Sequence, residues 1–215
     1  MLDLPNLLSF LRIALVPFLV YCLTDTDPVS SLMAAGIFFI ACLTDYFDGY
    51  LARKHGQTTI LGTFLDPLAD KLLVMAALVM LVASDRVPGP PAWMVVVILG
   101  REIAVTGLRS VAAGQGLVVS ADQLGKYKTL FQMFALHGLI IHYQYGFVDF
   151  HLLGMYFLWI ALVVGVWSGL DYHVTVARLL LGKHRAADDR TATPAQPSSI
   201  PASTPPAQQQ PERSA

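Results

Sequence analysis

Asp45, Asp48, Asp66 and Asp70 stand in stretches that otherwise read as membrane helix, and they constrain this chain more than any other feature. An ionised carboxylate at bilayer depth is expensive, and such residues face a bundle interior and mark function. Carboxylates grouped this closely repel one another unless cations lie between them. Hard divalent cations, which prefer oxygen ligands, are the simplest counter-charge. Asp45 and Asp48 are three apart and share a helix face, with Ala52 one turn further on. Gly62, Asp66 and Asp70 follow at intervals of four, again on one face. Gly49 and Gly62 have no side chain, so a ligand or a second backbone can approach closely. The run Lys54-His55-Gly56-Gln57-Thr58-Thr59 reads as a turn. The two carboxylate pairs are therefore expected to meet across a helical hairpin. As helix caps or ion-pair partners, one or two of these Asp residues would be unexceptional. All of them together exceed what Arg53, Lys54 and Lys71, the nearby cations, could neutralise.

The rest of the chain suits a polytopic membrane protein. Of its 215 residues 55% are hydrophobic and 13% charged, and mean hydropathy is +0.57. Apolar runs at 7–23, 32–53, 64–83, 92–111, 124–143 and 152–181 are each near the ~20 residues that cross a hydrocarbon core. The expected fold is an all-α integral membrane bundle of six transmembrane helices, with a cytoplasm-facing active-site cavity. Polar or Pro/Gly-rich breaks separate the runs at 24–31, 84–91, 114–123 and 144–151. Residues 1–181 form the expected membrane domain. Residues 182–215 turn to Ala, Pro, Ser, Thr and Gln, cannot bury enough surface to offset ordering, and are expected to be a disordered cytoplasmic tail. No basic n-region precedes a small-residue cleavage site, so no removable signal is expected. The net charge of −1 gives no reason to expect a nucleic-acid partner. Cys22 and Cys42 lie in apolar runs and read as small buried or lipid-facing side chains. His137 and His142 have no carboxylate or Cys at ligand spacing and read as ordinary span residues.

Basic residues set the orientation. With six spans, the breaks at 24–31, 84–91 and 144–151 share one side and carry only Arg86. Arg53, Lys54, Arg109, Lys126, Lys128, Lys183 and Arg185 fall on the other, which the positive-inside bias makes cytoplasmic. Both termini then lie in the cytoplasm, with the carboxylates at the cytoplasmic ends of the second and third spans.

The residues Asp45, Asp48, Gly49, Ala52, Arg53, Gly62, Asp66 and Asp70 match, without departure, the pattern D-x2-D-G-x2-A-R-x8-G-x3-D-x3-D. On this run the chain resembles the CDP-alcohol phosphatidyltransferase family. Further stretches resemble the branch of that family that makes phosphatidylglycerophosphate: Pro5-Asn6-Leu-Leu-Ser-Phe-Leu-Arg12, Arg101-Glu102-Ile103, Gly125-Lys126-Tyr127-Lys128-Thr129 and Trp167-Ser168-Gly-Leu-Asp171-Tyr172. The resemblance covers roughly residues 4–181. It implies transfer of the phosphatidyl group of CDP-diacylglycerol to sn-glycerol 3-phosphate, releasing CMP. It also implies two divalent ions per active site, Mg2+ or Mn2+, on Asp45, Asp48, Asp66 and Asp70. Asp70 is the implied general base, and Asp48, Gly49, Ala52, Arg53 and Gly62 the implied CDP pocket. A homodimer in a bacterial-type inner membrane is the corresponding expectation for assembly and location.

Charges outside the pattern bear on the acceptor. Arg101, Arg109, Lys126 and Lys128 are candidates for its phosphate, since guanidinium groups suit bidentate phosphate recognition. Structural alternatives stand beside this. Glu102 and Arg109 are seven apart and could pair across two helical turns, and Lys126 and Lys128 could anchor a helix at headgroup level. An anionic acceptor requires such a basic set; another alcohol such as serine does not need all of it, while inositol phosphate remains open. A divalent-cation transporter is the alternative from a different class. It would not require Gly49, Ala52, Arg53 and Gly62, and no paired broken helices occur in matching halves.

Overall fold

The structure, a computed structural model, describes residues 4–55, 60–84, 89–116 and 123–192, with side chains over 7–45, 65, 67–84, 89–116 and 124–179. Within that range the chain forms α1 (Leu4–Thr24), α2 (Pro28–His55), α3 (Ile60–Ala83), α4 (Ala92–Gly114), α5 (Gln123–Ile141) and α6 (Phe150–Ala192). A short hairpin, β1 (Gln144–Tyr145) and β2 (Val148–Asp149), joins α5 to α6. The sequence led us to expect only a polar break there. The antiparallel pair closes through Gly146, whose φ of 61° suits the first central position of a two-residue hairpin loop.

The helix boundaries follow local chemistry. Asp27 begins α2: its carboxylate accepts hydrogen bonds from the backbone N–H groups of Val29 (3.0 Å) and Ser30 (3.1 Å). Pro28 follows where its missing N–H costs nothing. The Ser30 hydroxyl, with the Ser30 and Val29 N–H groups, holds the exposed Asp27 carboxyl below its ordinary pKa. Asp149 caps α6 in the same way, accepting from Leu152 N–H at 2.9 Å. At its far end α6 continues past 181 to Ala192. The expected disordered segment therefore differs over 182–192, where Lys, Arg and Ala let the helix continue beyond its apolar run. Residues 193–215 lie outside the described residues.

Among the described residues, three helices contain runs long and apolar enough to cross a membrane: Leu7–Thr24, Pro28–Asp45 and Phe150–Leu179. The helices α3, α4 and α5 carry most of the charged residues that line the site. Many large apolar side chains on the bundle's outside are exposed, among them Phe18, Met33, Phe39, Val96, Ile103 and Val163. That outer surface gives the chain its membrane-protein character.

Packing places α1 against both α2 and α3, whereas α2 and α3 touch each other far less. Among the described residues α1 thus packs against both arms of the expected hairpin, whose turn at 56–59 lies outside them. Leu19, Phe38, Leu73, Met94, Leu136 and Leu158 are buried in one core to which all six helices contribute. α5 and α6 approach each other closely at Gly138 and Gly154. A Cβ on Gly138 would lie 2.8 Å from the Gly154 Cα and 2.8 Å from the Phe150 carbonyl oxygen. A smaller cluster of Val105, Ala112, Tyr172 and Val176 joins α4 to α6.

Candidate active site

A cavity of about 850 Å3 opens where α2, α3, α4, α5 and α6 converge. Up-and-down connectivity brings together the later turns of α2, α4 and α6 and the early turns of α3 and α5. Asp45 from α2 and Asp70 from α3 both line it. So do Arg101, Glu102 and Arg109 from α4, Lys126 and Lys128 from α5, and Ser168 and Tyr172 from α6. The structure thus gathers into one space two signature carboxylates and the whole basic set singled out from the sequence. Asp48, Gly49, Ala52, Arg53, Gly62 and Asp66 fall on α2 and α3, but their side chains lie outside the described ones.

Asp45 does not stand alone. Arg12 on α1, 1% exposed, places Nη1 at 3.0 Å from Asp45 Oδ1. The Asp45 side chain stays accessible, being 48% exposed. Packing α1 against α2 therefore brings a buried cation to the first signature residue. In the sequence Arg12 belonged to the N-terminal stretch that carries the resemblance and had no assigned partner. Its signal was available, since a guanidinium inside an apolar run must find an anion or a polar group.

On α4, Glu102 does not pair with Arg109. Lys71 Nζ lies 3.5 Å from Glu102 Oε2, Arg101 Nη1 lies 3.4 Å from Oε1, and Lys128 Nζ also meets Oε1. Helical geometry explains the change. A seven-residue separation lets Glu102 and Arg109 share a face, but the side chains on α3 and α5 are nearer to Glu102. Arg109 instead carries its guanidinium over the Tyr172 ring, 5.6 Å from the centroid.

Arg101 is held in place from α6. Its Nε donates to the Gly165 carbonyl at 2.9 Å and its Nη2 to Ser168 Oγ at 3.2 Å. Two glycines make room for these cations. A Cβ on Gly165 would meet Lys128 Cγ at 3.3 Å, and one on Gly169 would meet Arg101 Cγ at 3.0 Å. The run Ser168–Tyr172 thus forms the wall against which Arg101 and Arg109 rest. Sequence reasoning noted this run but assigned it no contact. Lys71, Ser168 and Tyr172 were missed as site residues because their partners lie on other helices.

Carboxylate oxygens are the donors that hard divalent ions take, and Asp45 and Asp70 present theirs to one cavity. Among the described residues no group of three metal-binding side chains occurs. The pair that is described fits a divalent ion in chemistry and in access. The lysines and arginines that line the same cavity offer N–H donors and no acceptors, a composition suited to an anion.

The family model for the CDP-alcohol phosphatidyltransferases matches residues 2–167, and the chain belongs to that family. The class thus defined is a membrane transferase, and members of the family are generally divalent-metal dependent. Relatives narrow it. The CDP-diacylglycerol–glycerol-3-phosphate 3-phosphatidyltransferase of Bacillus subtilis (strain 168) is 46% identical over 185 residues, covering 80% of this chain and 94% of the relative. Its namesake from Haemophilus influenzae is 37% identical over 175 residues, covering 79% and 91%. A cardiolipin synthase (CMP-forming) from rice is 36% identical over 197 residues, covering 84% of this chain and 59% of the relative.

Proposed function

We propose that the chain transfers the phosphatidyl group of CDP-diacylglycerol to sn-glycerol 3-phosphate, giving phosphatidylglycerophosphate and CMP. The observation that carries this reading is one cavity lined both by carboxylates from α2 and α3 and by a basic set from α3, α4 and α5. Relatives covered over most of their length bear the name of this reaction.

Each group has its task. Asp45, Asp48, Asp66 and Asp70 would hold two divalent ions, Mg2+ or Mn2+, which would offset charge on the donor diphosphate and on the departing CMP. Gly49, Ala52 and Arg53, with Asp48 and Gly62, line the CDP pocket. Arg101, Arg109, Lys126 and Lys128 hold the acceptor's phosphate, which orients its primary hydroxyl. Asp70 accepts the proton of that hydroxyl as the oxygen attacks the lipid-side phosphorus. The new P–O bond forms as the bond from that phosphorus to the CMP oxygen breaks.

The same reading extends to the setting. Six spans over residues 1–181 in a bacterial-type cytoplasmic membrane place the basic ends of α4 and α5 and both termini in the cytoplasm, where a water-soluble acceptor reaches the cavity. The segment beyond the membrane domain carries no part of the reaction. The working assembly is a homodimer. The test is an assay of the purified full chain with CDP-diacylglycerol and radiolabelled glycerol 3-phosphate, inositol phosphate and serine. Glycerol 3-phosphate is expected to be the preferred acceptor by kcat/KM. A preference for either of the others sinks the assignment.

A further inference from the structure

The cavity's charges are not paired one to one. The single carboxylate of Glu102 receives Lys71 from α3, Arg101 from its own helix and Lys128 from α5. All four residues line the cavity. Lys128 is 5% exposed. A carboxylate at the centre of three cations does two things. It supplies the counter-charge without which buried cations would carry a large desolvation penalty. It also occupies the N–H donors that a phosphate would otherwise take. The contacts from Lys71 and Arg101, at 3.5 Å and 3.4 Å, are longer than the ~2.7–2.9 Å of a tight charge-assisted hydrogen bond. Their ammonium and guanidinium groups thus retain capacity for a stronger anion.

We propose that Glu102 is a built-in competitor anion that makes the pocket selective for dianionic phosphomonoesters. Its carboxylate keeps Lys71, Arg101 and Lys128 paired until the acceptor's phosphate displaces it. The proposal rests on reading this basic set as the acceptor-phosphate pocket. A neutral alcohol brings no charge to replace Glu102 and gains nothing from the cations. A monovalent anion replaces it at no electrostatic advantage. A phosphomonoester carries about −1.5 to −2 at neutral pH and three acceptor oxygens, enough to draw the three cations away. Selectivity then comes from an internal rival as well as from contacts to the right ligand.

The experiment is calorimetric titration of the full chain in detergent with inorganic phosphate, for the wild type, E102Q, E102D and the E102Q/K71Q pair. Melting temperature is recorded for each. E102Q is expected to bind inorganic phosphate about tenfold tighter and to lose much of its discrimination against chloride. E102D, with its carboxylate withdrawn by one methylene, is expected to bind about threefold tighter. E102Q/K71Q, with charge rebalanced, is expected to return toward the wild-type Kd. Unchanged or weaker phosphate binding in a folded E102Q overturns the proposal, because a mere structural strut gives that result. Should E102Q fail to fold, the same outcome in E102D overturns it. Absence of phosphate binding in every variant also overturns it. Competition separates this from the underlying assignment. Displacement of inorganic phosphate by sn-glycerol 3-phosphate supports the acceptor pocket. Displacement by CDP alone removes that assignment, while the Kd differences still judge Glu102.

Discussion

At the scale of single residues, the carboxylates and cations of the cavity have separable duties. Asp70 is assigned the proton and Asp45 an ion. Asp70→Asn keeps size and shape but cannot accept a proton, so kcat is expected to fall by about 10²–10⁴ with CDP-diacylglycerol binding largely kept. Asp45→Asn is expected to weaken ion and donor binding instead, and raised Mg2+ to restore part of the rate. Measuring kcat and donor Kd across a metal titration distinguishes them. A near wild-type rate for Asp70→Asn at high metal would leave Asp70 a ligand alone and put the base elsewhere. Arg109 rests on the Tyr172 ring and is not paired with Glu102, so its charge is available to a ligand. Arg109→Ala is expected to raise the KM for glycerol 3-phosphate about ten- to a hundredfold, the loss of roughly 1.5–3 kcal/mol from a charge-assisted contact. A rise confined to the KM for CDP-diacylglycerol would move Arg109 to the donor pocket.

At the scale of elements, α6 acts on the site through what it lacks. Gly165 and Gly169 lie one turn apart and give Lys128 and Arg101 the space to lie against the helix. Gly169→Val puts branched carbon where Arg101 Cγ and Nε now lie. Because Arg101 is a flexible side chain, the bundle is expected to stay folded while KM for glycerol 3-phosphate rises severalfold. An unchanged KM with correct membrane insertion would show that Arg101 need not hold its present position. The Gly138–Gly154 crossing offers no such relief, since backbone meets backbone there. Gly138→Ala is expected to cost about 1–3 kcal/mol through forced separation of α5 from α6, read as a lower melting temperature in detergent. A melting temperature equal to wild type would show that the two helices can move apart freely.

At the scale of the whole molecule, the charged cavity must be reconciled with an apolar exterior. The bundle does this by turning the charges of α3, α4 and α5 inward and leaving side chains such as Phe18, Val96 and Val163 outside. Carboxylates gathered in such an interior need cations, so turnover is expected to require an added divalent ion and to stop in excess EDTA. Full turnover by protein shown by metal analysis to be ion-free would remove the two-ion mechanism.

The sequence by itself determined the chemistry and the class of fold. Carboxylates at helical spacing inside apolar runs demand cations and an enclosed site, whatever the helices' arrangement. The apolar runs also made the helices legible, since burial in lipid or core is written along the chain as composition. Pairings between helices were not legible. Whether Glu102 meets Arg109, seven residues on, or Lys71 and Lys128 on other helices depends on how α3, α4 and α5 are rotated about their axes. Arg12 reaches Asp45 because α1 packs against both α2 and α3, a placement that no local periodicity encodes. The room for Arg101 depends on Gly169 facing α4, and a helical repeat says which residues share a face without saying which neighbour that face meets. Tertiary packing decided these contacts because the energy of a charged pair falls with distance, and distances between helices are set by side chains remote in sequence.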